Sequence, residues 1–292
     1  MTFSEGMQID TSTTSTGGGG VGRGIAIGGG VGGLVIVMLA LFLGVDPGQV
    51  ISQQPIQAQT QSGPGVDLSK CKTGADANKY VDCRVVATGN SVDGVWEQLL
   101  RGYSRPKMML FKGSVQTGCG PATSDVGPFY CPVDKTAYFD PTFFAELKRM
   151  GGSDGAAAQE YVVAHEYGHH VQNLLGVLGR AQQGAQGATG NGVRTELQAD
   201  CYAGVWAHYA AITKQPGTNV TYLEPLSDKD IADALSAAAS VGDDRIQKQA
   251  TGRINPEQWT HGSSAERQKW FTIGYQSGDP KQCDTFSARN LG

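Results

Sequence analysis

Charge is scarce in this chain, and basic charge scarcer still: Lys and Arg total 23 against 27 Asp and Glu, the charged share is 17%, and no Lys/Arg-rich run occurs. With a formal net charge of -4 the chain lacks the basic footprint that attracts phosphate backbones, so no nucleic-acid partner is expected. Cysteine is absent before Cys71 and no two cysteines stand as C-x-x-C, which argues against a zinc knuckle or a thioredoxin-like redox site. No internal repeat is found, and a solenoid is excluded with it.

What is present divides unevenly. The 292 residues are 39% hydrophobic and include 42 glycines, enough apolar material for a full-sized core plus some non-globular sequence. Residues 1–24 are mostly Thr, Ser and Gly and are expected to form a disordered cytoplasmic tail. Residues 25–45, "IAIGGGVGGLVIVMLALFLGV", carry no charge and are long enough to cross a hydrocarbon core, so a transmembrane helix is expected there. A cleaved signal peptide would have a shorter apolar region and a more basic start, and a buried helix would be weakened by its glycines. In a membrane, the pairs Gly28/Gly32 and Gly29/Gly33 would let a second copy approach, a route to a homo-oligomer. Residues 46–66, rich in Gln, Pro and Gly, read as a linker.

Arg23 before the span and Asp46 after it favour a cytoplasmic N-terminus. All six cysteines (Cys71, Cys83, Cys119, Cys131, Cys201, Cys283) follow the span, as expected of a single-pass protein whose folded part lies in an oxidising, extracytoplasmic compartment. Nearest-neighbour pairing joins Cys71 to Cys83, Cys119 to Cys131 and Cys201 to Cys283; free buried thiols at the last pair are the alternative.

From Asp67 the pattern is α+β. "SVDGVWEQLL" has helical spacing, "KMMLFKGSV" and "TAYFD" are strand-like, and "PTFFAELKRM" reads as a helix with Pro141 at its first position. The second half is mostly helical. A helix from about Gly155 to about Leu175, capped by Ser153 and Asp154, puts His165 and His169 one turn apart on one face. Two imidazoles so spaced can converge on one zinc ion, and Glu166 can then reach a water that the metal activates. His170, next in sequence, turns elsewhere on the helix and reads as an outer or surface residue. A third ligand is supplied by "NGVRTELQADCYAGVWAHYA", where Glu196 and Asp200 again stand one turn apart and Ala199, Ala203 and Ala207 permit close packing. Glu196 can ligate while Asp200 accepts a hydrogen bond from a ligand histidine. The competing reading is a solvated acidic face.

The blocks "AHEYGHHVQ", "ELQADCYAGVW", "GPFYCP" with "YFDPTFF", and "HGSSAERQKWF" together resemble the neutral zinc metallopeptidase family of bacterial envelopes, itself similar to thermolysin-type gluzincins. The resemblance runs from about Asp67 to Phe286 and implies a zincin-like peptidase domain over residues 67–292, with one zinc held by His165, His169 and Glu196, Glu166 as catalytic base and a peptide or protein substrate. The 26 residues between His169 and Glu196 depart from thermolysin; their Gly/Gln loop would cover the cleft or be a simple insertion. A donor to the reaction's oxyanion is also needed. His261, just before a helix with a Ser263/Glu266 capping box, is the candidate, with Tyr202 and Tyr275 as rivals. "YFDP" could serve as a substrate-pairing edge strand, as in gluzincins, or lie inside the sheet. "GDDRI" reads as a structural ion pair or helix-end cluster. The function expected is a membrane-anchored zinc metallopeptidase; an inactive zinc-containing interaction protein of the envelope and a zinc hydrolase of a non-peptide bond are the alternatives.

Overall fold

The computed structural model describes residues 1–18, 66–181 and 183–292. Its strands are β1 (Thr14–Gly18), β2 (Lys107–Lys112), β3 (Ser114–Thr117), β4 (Gly120–Thr123), β5 (Phe129–Cys131) and β6 (Thr136–Phe139). Four of them form a sheet in the order β1-β2-β6-β5, in which β1, β2 and β6 run parallel and β5 is antiparallel to β6; β3 and β4 form a separate hairpin. β6 is therefore interior, and the Tyr138–Phe139 part of "YFDP" is not the edge. The edge near the helices is β5.

The helices are α1 (Gly74–Lys79), α2 (Val81–Leu99), α3 (Phe143–Arg149), α4 (Ala156–Leu174), α5 (Asn191–Ala210), α6 (Asp228–Ser240), α7 (Asp243–Thr251) and α8 (Ser264–Ser277). α2 begins ten residues before the stretch "SVDGVWEQLL", because its first half also buries Val85 and Val86. Pro141 lies before the N-cap of α3 rather than inside it. α4 is capped by Gly155 with no side-chain cap bond; Ser153 instead accepts from the Gly155 N–H at 3.0 Å, and Asp154 pairs with Lys148. The helical half packs around α4, α5 and α8, with Tyr161, Trp206 and Phe271 essentially fully buried.

Small residues set the helix spacing. A methyl group added at Gly168 would stand 2.9 Å from the Ala199 carbonyl oxygen, so α4 and α5 touch backbone to backbone beside the candidate ligands. All three nearest-neighbour disulfides are formed, and no described cysteine is free. Cys201–Cys283 closes 82 residues of sequence separation and fastens the C-terminal segment to α5, contributing about 4 kcal/mol in the chain-entropy picture.

Two expectations about the N-terminal region are overturned. Of the 24 residues expected to be disordered, Met1–Gly18 fold into the same body as the rest. Phe3 and Met7 are 0% exposed, β1 supplies a strand, and Asn90 clasps Asp10 by accepting from its N–H at 2.8 Å and donating to its carbonyl at 2.9 Å. A sparse apolar pattern misleads here because Phe3 and Met7 plug a core built by α1, α2 and the Tyr222–Leu223 segment. The expected single-pass topology, with a cytoplasmic N-terminus and an extracytoplasmic domain, is not supported. No helix among the described residues is long and apolar enough to cross a membrane, and an N-terminus packed onto the domain cannot lie on the opposite side of a bilayer from it. The 25–45 segment, with its glycine pairs, and residues 46–65 of the 46–66 linker fall outside the described residues.

Candidate metal centre

α4 presents His165 and His169 one turn apart, and α5 brings Glu196 opposite them. His165 Nε2 lies 3.2 Å from Glu196 Oε2 and His169 Nε2 lies 3.6 Å from Glu196 Oε1. The three residues are buried, with one ligand atom from each within 4.8 Å of the others. Each ring's second nitrogen is engaged: His165 Nδ1 donates to Asp200 Oδ1 at 2.9 Å and His169 Nδ1 to Gln172 Oε1 at 2.8 Å. Both Nε2 atoms are thereby aimed at the space in front of Glu196. Two imidazoles and a carboxylate, oriented from behind and largely buried, fit a zinc ion of the three-ligand catalytic type.

Asp200 is the hub behind the centre. It accepts a bidentate pair from Arg267, Nε at 2.8 Å and Nη2 at 2.9 Å, and a hydrogen bond from the Tyr161 hydroxyl. Arg267 Nη1 also donates to the Val241 carbonyl at 3.3 Å, and Nη2 stands 3.8 Å from Glu196. Sequence reasoning missed Arg267. Its signal is indirect: a buried Asp200 requires a buried cation, and "ERQKW" supplies one at the start of α8.

Charge is divided unevenly over this cluster. Burial works against a charged His165, yet Asp200 and Glu196 together raise it to about 9. His169 is lowered to about 4, by burial above all. Burial favours the neutral forms of Glu196 and Asp200, but His169 and His165 hold Glu196 below the carboxylate range, and Arg267 with His165 does the same for Asp200.

Glu166 lies beside the three donors and lines the same cleft. Burial pushes its carboxyl up to about 7, against the pull of His165 and of the Tyr130 backbone N–H directed at it. His261 also lines the cleft, and its Nδ1 is 3.2 Å from Asp243 Oδ1. Asp243 Oδ2 collects the N–H groups of Thr260, His261 and Gly262 at 2.7, 2.6 and 3.0 Å, a turn in which Gly262 has φ +87°. The "GDDRI" cluster stands at the start of α7, where Gly242 is the N-cap without a side-chain cap bond, and its first aspartate orients His261. Burial disfavours the charged His261 ring, and Asp243 with Glu196 outweighs it, so its pKa is raised. Tyr202 instead meets Trp96 edge-on at 5.2 Å, and Tyr275 stacks on Phe271; neither lines the cleft. The described part of the Gly/Gln loop does not line it either. It supports the His261 turn, with Gly187 N–H donating to the Trp259 carbonyl at 2.9 Å.

A cleft lined by His165 and Glu196, with His169 completing the donor cluster and a second carboxylate, Glu166, beside it, has the donor set that zinc hydrolases use. The chain is a member of the family described as "Putative neutral zinc metallopeptidase", whose model matches residues 4–286. It is 73% identical over 293 residues to "Uncharacterized protein Rv2575" of Mycobacterium tuberculosis (strain ATCC 25618 / H37Rv), covering 100% of both chains. It is 40% identical over 258 residues to "Uncharacterized protein YpfJ" of Escherichia coli (strain K12), covering 87% of this chain and 85% of that one. No solved structure matches. The matched range begins at residue 4, in keeping with an N-terminal segment that is part of the fold.

Proposed function

We propose that this chain is a zinc-dependent metallopeptidase of the gluzincin type that hydrolyses peptide bonds with Glu166 as general base. The observation that carries the reading is that the buried donor cluster has three members, His165, His169 and Glu196, with the carboxylate of Glu166 next to it and outside it. Structural zinc is closed by four protein ligands; a site with three leaves a position for water and substrate.

Zinc held by these residues would supply Lewis acidity, lowering the pKa of water and polarising the substrate carbonyl. Glu166 accepts the proton of the attacking water and returns it to the departing amine, a task suited to a carboxyl whose pKa lies near neutrality. His261, held by Asp243, donates to the oxygen that becomes negative as the carbonyl carbon turns tetrahedral. Arg267 keeps Asp200 ionised, and Asp200 keeps the Nδ1 proton on His165. On one side of these groups the wall is apolar, formed by Val126, Phe143, Met150, Val162, Val241 and Ile246, which suits a bulky uncharged side chain beside the cleaved bond.

The test is Glu166→Gln, in which the amide retains the shape but accepts no proton. Zinc content should be unchanged, while turnover of a peptide library falls by about 10³-fold or more, in the range of a lost acid–base group. Equal cleavage by wild type and variant, or none by either, sinks the assignment in favour of an interaction protein or of another bond.

A further inference from the structure

His170 follows the second candidate ligand directly, is 0% exposed, and takes no part in the centre. Its ring is committed at both nitrogens. Nε2 lies 2.6 Å from the Ser104 carbonyl, which can only accept, so Nε2 carries the proton. Nδ1 is then an acceptor, and 2.9 Å away the Tyr130 hydroxyl donates to it. That hydroxyl oxygen in turn accepts from Asn173 Nδ2 at 2.9 Å. Edge contacts with Tyr103 and Tyr130, at 5.6 and 5.4 Å between ring centroids, hold the imidazole plane.

Tyr130 is the middle residue of β5, the strand at the end of the sheet order. Glu166 and His170 are four apart on α4 and so lie on one face. Tyr130 spans them: its backbone N–H is directed at the Glu166 carboxylate, and its side chain ends on His170. The residues just before the strand, Val126, Gly127 and Pro128, line the cleft, and the next residue, Cys131, is tied to Cys119. The strand thus carries the Val126–Pro128 lip of the cleft directly to the helix that bears Glu166.

We propose that His170 is a positioning residue: acting through the Tyr130 hydroxyl, it holds β5 against α4 and so keeps the Val126–Pro128 lip of the cleft in register with Glu166 for an extended peptide. The proposal rests on the peptidase reading for its substrate, but the clamp is a property of the fold. An edge strand of three residues paired on one side only has few hydrogen bonds of its own, and a fixed side-chain link from its centre to the rigid helix supplies what the ladder lacks.

The experiment compares full-length wild type, Tyr130→Phe, His170→Gln and His170→Asn, all loaded with zinc. Tyr130→Phe keeps the packing and removes only the link. His170→Gln keeps a donor for Ser104 where Nε2 stood but offers Tyr130 no acceptor, whereas the amide oxygen of His170→Asn takes the place of Nδ1. Two readouts are taken: kcat and KM on a nested series of peptides lengthened on one side of the cleaved bond, and amide hydrogen exchange of residues 129–131 against that of α4. The rise in kcat/KM with peptide length should shrink about tenfold in Tyr130→Phe and His170→Gln, the order of one neutral hydrogen bond. The change should appear mainly in KM, and His170→Asn should recover part of it. Exchange at 129–131 should quicken about tenfold in the first two variants, with α4 unchanged. A loss equal for short and long peptides, or unaltered exchange in a folded Tyr130→Phe protein, overturns the clamp. Wild type that cuts no peptide sinks the peptidase reading instead, and the exchange measurement still decides the clamp.

Discussion

In the proposed mechanism His261 donates to the developing oxyanion only while its Nε2 carries a proton, because its other nitrogen is turned to Asp243. Its pKa is raised by that carboxylate in spite of burial, so the protonated donor persists above the ordinary histidine value and disappears as pH climbs through the raised one. The alkaline limb of kcat/KM is therefore expected above about pH 6.5, the unperturbed histidine value. His261→Ala should remove that limb and lower kcat/KM by about 10²- to 10³-fold at unchanged zinc content, the usual effect of one such donor. An intact limb in the alanine variant would assign it to another group. Asp93 offers a test of stability independent of metal. Its carboxyl is buried, accepts from Tyr103 at 2.8 Å on one oxygen and has no partner on the other. Burial raises its pKa to about 7. The unfolded chain ionises near 3.9 and the folded one near 7, so the folded state gives up stability as pH rises through that window. Asp93→Asn should match wild type near pH 4 and exceed it at pH 8 by about 1–3 kcal/mol, less than the full shift implies because the new amide is itself unpartnered. Urea titrations at the two pH values that give the same difference would contradict this.

At the scale of elements, the helices that carry the centre were legible because their chemistry and their packing use the same spacing. His165 and His169, and Glu196 and Asp200, each recur every four residues, and Gly168 against Ala199 explains how two such faces come close enough to share one ion. The pairings Cys71–Cys83 and Cys119–Cys131 were legible from proximity along the chain. Arg267 was hidden because its partner Asp200 lies 67 residues away, and Asp243 because an aspartate at a helix start already has a local explanation. β1 and β5 were hidden for another reason: short strands at the ends of a sheet have too few residues to show alternation, and β1 sits in a Thr/Ser/Gly stretch. The N-terminal segment yields a sharp prediction. A chain starting at Asp67 loses Phe3, Met7 and β1, exposes the seat they fill, and should unfold or aggregate where the full chain stays folded. Adding a peptide of residues 1–18 should restore it in part. Phe3→Ala in the full chain should cost about 3–5 kcal/mol. A stable chain from Asp67 with unchanged thermal midpoint would show that the segment is dispensable.

Over the whole molecule, the α+β architecture and the cleft between sheet edge and helices follow from one arrangement: β5 on one side, α4 at the back, α5 and α8 behind it, and the α6–α7 corner closing the apolar wall. Zinc enters this account as the ion that the His165, His169 and Glu196 cluster is built to receive, and everything said of Glu166 and His261 depends on that. The most direct measurement is elemental analysis of the full-length chain purified without chelator, beside its His165→Ala and Glu196→Ala variants. The account predicts one zinc per wild-type chain, sharply reduced in both variants while their disulfides and fold persist. Wild-type protein free of zinc, or variants that retain it in full, would contradict the account at its centre.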